Sequence, residues 1–359
     1  MKRWICPWAE SATKAAIYHC VSRVVDRRLV LGDAEREQFR RLMRMYENFS
    51  GCRVLSYCIM SNHFHILLEV PPMPKTGLSD EELFKRLAAI YSEAVVAVVA
   101  KELAEARLTA NEAEAAAIHG RFTYRMHNLS EFMKTLLQRF TRGFNRSHQR
   151  CGTLWEERFR SVIVESGIAA RTMAAYIDLN PVRAGMVTDP AEYRWSSYGE
   201  AIGGSNQGNG NKARAGLVRA YFFEQQERVV NDLGEKWREV SRSYRGLMGL
   251  ALARKAGRAE RAQAENPQGQ NTLNRAEMFK NEDKGTVLKD LGIAKMLRCR
   301  VRYFTDGVAI GSKEFVNEVF IQRRERFGEK RKDGARTMKG SGSGAKGQLW
   351  SLRNLQVRI

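Results

Sequence analysis

From Ala16 to Val25 the chain reads AIYHCVSRVV, an alternation dense in β-branched and aromatic residues that predicts a strand. Asp33 then opens a helical period with Phe39, Leu42, Met43 and Tyr46 on one face, running to Phe49. Arg53 to Met60 and His63 to Val70 read as two further strands, joined by the turn-forming pair Ser61-Asn62. After a loop, 71–77, comes an Ala- and Glu-rich helical stretch from Ser79 to Ala117, with a break between Leu108 and Asn111. A helix from Ser130 to Ser147 has its apolar face on Leu129, Met133, Leu136, Leu137, Phe140 and Phe144. Its other side carries Arg139, Arg142, Arg146 and Arg150 as a stripe. Thr153 to Glu165 predicts a strand, and Ile168 to Leu179 a short helix stopped by Asn180-Pro181.

The order strand–helix–strand–strand–helix–strand–helix predicts an α+β fold, a ferredoxin-like antiparallel sheet with helices on one face. It spans residues 1–200, with an insertion over 73–127. Residues 201–216 lack periodicity and read as a linker. Beyond it, 217–330 is basic and mostly helical, including Ala294 to Phe304 and Lys313 to Phe327, with a polar break from Asn266 to Asn271. The Gly/Ser/Lys-rich stretch 331–348 is expected to be disordered, and 349–359 alternates like a strand.

Charge changes the picture. The 359 residues carry 60 Lys and Arg against 40 Asp and Glu, a net +20. Residues 201–359 hold +15 of it, with 32 basic and 17 acidic side chains. Such an excess favours a polyanionic partner, since each neutralised phosphate releases counterions. No run of 18 apolar residues exists, and Met1 to Glu10 is too polar for a secretory signal. The six cysteines are scattered and read as reduced thiols, so the expected location is cytoplasmic, with the nucleoid. Cys52, Cys58, His63 and His65 lack the spacing of a zinc ribbon or finger.

Two residue patterns carry candidate chemistry. In His63-Phe64-His65 on a strand, both imidazoles face one way, about 6.6–6.8 Å of rise apart, and Phe64 faces the other. They can converge on one cation, or be two polar residues on a sheet surface. Tyr176 and Asn180, four apart, share one helix face. The hydroxyl can attack a phosphodiester and the amide oxygen can complete a three-ligand site; equally, Tyr176 can be a core residue and Asn180 a helix cap. Two imidazoles and an amide would suit Mg²⁺ or Mn²⁺.

The sequence resembles the single-tyrosine HUH transposases, and within them the REP-associated tyrosine transposases. The resemblance rests on Tyr18-His19-Cys20-Val21-Ser22-Arg23, on Met60 to Leu67 (MSNHFHIL), and on Leu154 to Phe159 (LWEERF). Tyr176 to Gly185 (YIDLNPVRAG) and Tyr193 to Tyr198 (YRWSSY) complete it, over residues 14–200. Two stretches of the basic extension, Arg302 to Gly307 and Gly311 to Val316, are similar to tails of longer members. The resemblance implies His63, His65 and Asn180 as ligands of Mg²⁺ or Mn²⁺, and Tyr176 as a nucleophile forming a 5′-phosphotyrosine on single-stranded DNA beside a hairpin. Arg139, Arg142, Arg146, Trp155, Arg158, Phe159 and Arg183 are then candidate DNA contacts, with the protein a monomer or homodimer. Plasmid relaxases and replication initiators carry a third histidine or a second tyrosine, which this chain lacks near its HFH strand. A catalytically silent, domesticated DNA-binding protein is the alternative, and intact His63, His65, Tyr176 and Asn180 argue against it.

Overall fold

Buried at every position but the last, Ala16–Arg23 forms strand β1. Helix α1, Asp33–Ser50, starts where the Glu35 carboxylate accepts the Gly32 N–H at 2.9 Å. It ends at Gly51, whose φ of 70° turns the chain out of the helix at no side-chain cost. Strands β2, Arg53–Ile59, and β3, His63–Val70, follow as a tight hairpin in which Met60 N–H donates to the His63 carbonyl. The computed structural model describes residues 4–9, 13–204, 208–222, 233–263, 294, 297, 302–338 and 349–353. Its contacts divide the chain into two units, Met1–Ser161 and Val162–Ile359.

In the first unit the strands run antiparallel in the order β2-β3-β1. The Phe64 face is covered by α1 and by α5, Leu129–Ser147. Phe39 lies tilted against Phe64 at 4.8 Å, and Trp155 meets Phe64 edge-on at 5.4 Å. Such ring pairs add about 0.5–1.5 kcal/mol each beyond the area they bury. On α5 the buried side chains include Phe132, whereas Leu137, expected inside, is partly exposed. Residues 73–127 carry three helices, α2 (Asp80–Leu87), α3 (Glu93–Leu108) and α4 (Glu112–Thr123). Besides the expected break there is a second one, at 88–92, where Ser92 precedes the new helix.

The second unit holds a mixed sheet. β4 covers only Arg160–Val164, because Trp155 makes a single bridge to Val24 and the chain bends before Arg160. β4 runs parallel to β5, Ala309–Gly311, a pairing the expected antiparallel plan did not contain. Helices α6 (Ile168–Asp178), α7 (Asn180–Arg183) and α8 (Ser197–Gly203) come next. They belong here rather than with residues 1–161, since α6 packs on β5, α9 (Asn209–Tyr221) and α10 (Leu233–Gln263). The expected boundary at 200 therefore falls too late. The expected linker is helical from Asn209 onward. Arg302–Thr305 forms a helical turn, and the helix from Lys313 stops at Ile321, short of Phe327. Within the stretch expected to be disordered, Arg336–Thr337 pairs as β6 with β7, Trp350–Leu352, which also pairs with β5. The Asn266 to Asn271 break and residues 339–348 lie outside the described residues. Among the described residues no helix is long and apolar enough to cross a membrane.

Candidate active site

His63 and His65 lie on one face of β3, their ring centroids 5.0 Å apart and their planes at 82°. The turn before β3 sets the proton on His63. Asn62 Nδ2 donates to the Arg27 carbonyl at 2.8 Å, so its Oδ1 is the acceptor facing His63 Nδ1, 2.7 Å away. The N–H of His63 is therefore on Nδ1 and the lone pair on Nε2, the arrangement a metal-binding imidazole needs. Burial, and then Arg23 directly across the strand pair, push its pKa down to about 4, which keeps the ring neutral at pH 7.

His65 is buried, and its Nδ1 lies 3.0 Å from Nε2 of His19 on β1. The two rings stack at 5.1 Å and 15°. When His65 Nδ1–H is the donor, its own Nε2 carries the lone pair, matching His63. His19 and Asn62 are the site residues that pattern reading missed as participants. The signal for His19 was its alternation phase in β1, which registers with β3 only once the strands pair. Tyr18, one residue earlier, faces the opposite side of the sheet, where its hydroxyl accepts Cys6 N–H at 3.1 Å. Burial pushes the Cys52 thiol up to about 12, so it is protonated at neutral pH. Among the described residues no three His, Cys, Asp or Glu side chains form a metal-holding group. The expected set contains only two such side chains, both histidines, with an amide as the third member.

In the second unit Gly167, at φ 74°, turns β4 into α6, nearly all of which is buried. Tyr176, near its C-terminal end, is 1% exposed. Its ring stacks on Phe304 at 4.4 Å and 16°, and the Arg183 guanidinium lies over it at 5.0 Å. Asn180 Nδ2 donates to the Tyr176 and Ile177 carbonyls at 3.0 and 3.2 Å. This caps the helix with the NH₂ group and leaves Oδ1 as the acceptor end of the amide. Arg183, expected at DNA, instead donates to the Tyr176 carbonyl at 3.2 Å and the Leu297 carbonyl at 2.8 Å. Burial lowers its pKa, and Tyr176 partly offsets this. Burial also pushes the Tyr198 hydroxyl up to about 12, a poor start for a nucleophile.

Of the other candidate DNA contacts, Arg139, Arg142, Arg146 and Arg158 are exposed and Phe159 is half-buried. Trp155 is a correction. It is packed among Phe39, Phe64 and Phe140, and its indole N–H donates to Thr141 Oγ1 at 3.0 Å. A ring so enclosed cannot stack on a base.

No curated protein matches the chain. A solved structure of a REP-associated tyrosine transposase bound to a REP hairpin aligns with 57% of this chain and 84% of its own, at 11% identity and a TM-score of 0.35. Residues 12–80, which fold into β1, α1, β2 and β3 and supply both imidazoles, match the family model of IS200-like transposases.

Proposed function

We propose that the protein is a transposase-type nuclease that cuts and rejoins single-stranded DNA beside hairpins, with Tyr176 as nucleophile. The observation that carries this reading is the His63–His65 pair on one strand face, with His63 neutral and its Nε2 lone pair available, inside the segment that matches IS200-like transposases. His63, His65 and the Asn180 amide oxygen would hold Mg²⁺ or Mn²⁺. The bound ion would polarise the scissile phosphate as a Lewis acid.

The chain's own residues account for the rest. Tyr176 Oη forms a bond to phosphorus and loses its proton to solvent; the bond from phosphorus to the 3′ oxygen breaks, and that oxygen takes up a proton from solvent to leave a free 3′-OH. The 5′-phosphotyrosine stores the bond energy, so the 3′-OH of a strand can reverse the step without a nucleotide cofactor. The Arg183 guanidinium lies over the Tyr176 ring and also holds the Tyr176 carbonyl, which fixes the turn after the nucleophile. Arg139, Arg142, Arg146 and Arg158 offer exposed cations to the phosphate backbone.

The test is a 3′-labelled hairpin oligonucleotide, its sequence chosen from any imperfect palindrome found by sequencing the DNA that flanks the gene, incubated with protein and metal and run on a denaturing gel. A labelled protein band is expected, absent in Tyr176→Phe, with DNA binding kept within a few-fold. A band that persists in Tyr176→Phe moves the nucleophile elsewhere. The burial of Tyr176 favours one competing reading, a catalytically silent protein that binds repeat hairpins. Hairpin binding with no band in the wild type would establish it.

A further inference from the structure

The segment beyond residue 203 was expected to act as a basic tail, and its +15 charge fits that role. Its described contacts with α6 are of another kind. Three of them grip the last turn of α6 and the turn after it, all within the second unit. Phe304 stacks on the Tyr176 ring. The Leu297 carbonyl accepts from Arg183, which also holds the Tyr176 carbonyl. Tyr244 Oη donates to Asp178 Oδ2 at 2.7 Å, while Asp178 Oδ1 accepts the Tyr198 N–H at 3.0 Å.

Phe304 has a firm mount. Four residues after it, Val308 N–H donates to the Leu352 carbonyl at 2.7 Å, and the Val308 carbonyl accepts from Ile163 N–H at 2.9 Å. β5 then pairs with β4, the strand that leads into α6. The aromatic ring and the helix bearing Tyr176 are thus fixed to the same sheet.

We propose that Phe304 is a positioning residue for the nucleophile, so that the C-terminal extension forms part of the cleavage centre rather than only a DNA-binding tail. This rests on Tyr176 being the attacking residue. A phenyl ring offers no proton, charge or metal-binding atom, so its service to a stacked tyrosine is orientation. Oη lies on the axis of the Cβ–Cγ bond, so ring flips leave it in place. Only rotation about Cα–Cβ swings it, and that torsion has three staggered wells. The Phe304 face, near-parallel at 4.4 Å, selects one of them. In-line attack needs the reacting atoms aligned at contact distance, and a misplacement of about 1 Å costs roughly 100-fold in rate.

The experiment measures single-turnover adduct formation at saturating 3′-labelled hairpin oligonucleotide, with its Kd and the melting midpoint of each variant. Phe304→Ala is expected to slow adduct formation roughly 10- to 100-fold with Kd within about 2-fold. Phe304→Leu, which keeps apolar volume but has no ring face, should recover the midpoint and not the rate. Phe304→Tyr should recover both. A wild-type rate in Phe304→Leu, or a faster rate in Phe304→Ala, overturns the proposal: the first makes Phe304 filler, the second a restraint. Tyr176→Phe runs beside them. An adduct in that variant removes the nucleophile assignment itself, and an absent adduct in the wild type removes both. A dead Tyr176→Phe with a fully active Phe304→Leu removes only the positioning role.

Discussion

Asn62 sets the tautomer of His63. Its amide is oriented by the Arg27 carbonyl, so its oxygen has to accept from His63 Nδ1, leaving Nε2 as the ring's lone-pair end. A turn residue thereby fixes which nitrogen of His63 presents its lone pair.

Asn62→Ala should accordingly weaken metal binding about 10- to 100-fold, the usual effect of losing such an outer partner. Titrating adduct formation with Mn²⁺ checks it. The midpoint should move to higher metal while the rate at saturating metal stays near wild type. An unmoved midpoint would show that the hydrogen bond does not govern the ligand.

Chelator should silence the wild type, and Mg²⁺ or Mn²⁺ should restore it. His63→Ala and His65→Ala should each depress cleavage more than Asn180→Ala, because imidazoles bond the ion more strongly than a carboxamide oxygen that water can replace. Excess metal should partly rescue Asn180→Ala by mass action and hardly touch the double histidine variant. Full cleavage in excess chelator would return both histidines to the role of sheet residues.

Tyr244→Phe should cost about 1.5–3 kcal/mol of stability, since it deletes a buried hydrogen bond to the Asp178 carboxylate. Burial, then Asp178, hold the Tyr244 hydroxyl well above its ordinary pKa, so the proton is present across the working pH range. Denaturant unfolding measures the loss. Truncation at Gly203 removes this bond, the β5 strand and Phe304 together, and should abolish adduct formation rather than merely flatten the salt dependence of binding.

Trp155 and the arginines of α5 should separate cleanly. Trp155→Ala should destabilise by about 3–5 kcal/mol, as expected of an emptied aromatic core position. Arg142→Ala and Arg146→Ala should leave stability within about 0.5 kcal/mol. Each arginine contacting a phosphate should lower the slope of log affinity against log salt by about 1. Binding titrations at several salt concentrations, set beside unfolding curves, distinguish the two classes.

The helical insertion should be acid-sensitive. Hydrogen bonds from Arg107, and then His119, hold the Asp80 carboxyl below its ordinary value. A depressed carboxyl stabilises the fold above its unfolded pKa, near 4, and the contribution fades as pH falls through the lower folded value. The stability gap between wild type and Asp80→Asn should therefore shrink between about pH 6 and about pH 3. A constant gap would mean that the Asp80 contacts to α3 and α4 carry no net charge energy.

Local periodicity was enough to place several chemical groups. A two-residue strand period puts His63 and His65 on one face and Phe64 on the other, and one helical turn separates Tyr176 from Asn180, whatever the rest of the chain does. The α+β order was legible for the same reason: each element repeats its own short pattern. Other features depend on pairings that no local period encodes. His19 reaches His65 only because β1 pairs antiparallel with β3 in one register, and a slip of one residue would send it to the other face. Trp155 was as readable in sequence as a base-stacking ring as it was as a core aromatic, and it is core because its bridge to Val24 carries it onto Phe64. Phe304 meets Tyr176 through a β4–β5 pairing between segments far apart in the chain. Burial of apolar surface chooses such partners across the whole molecule, and that choice is made only when the elements pack.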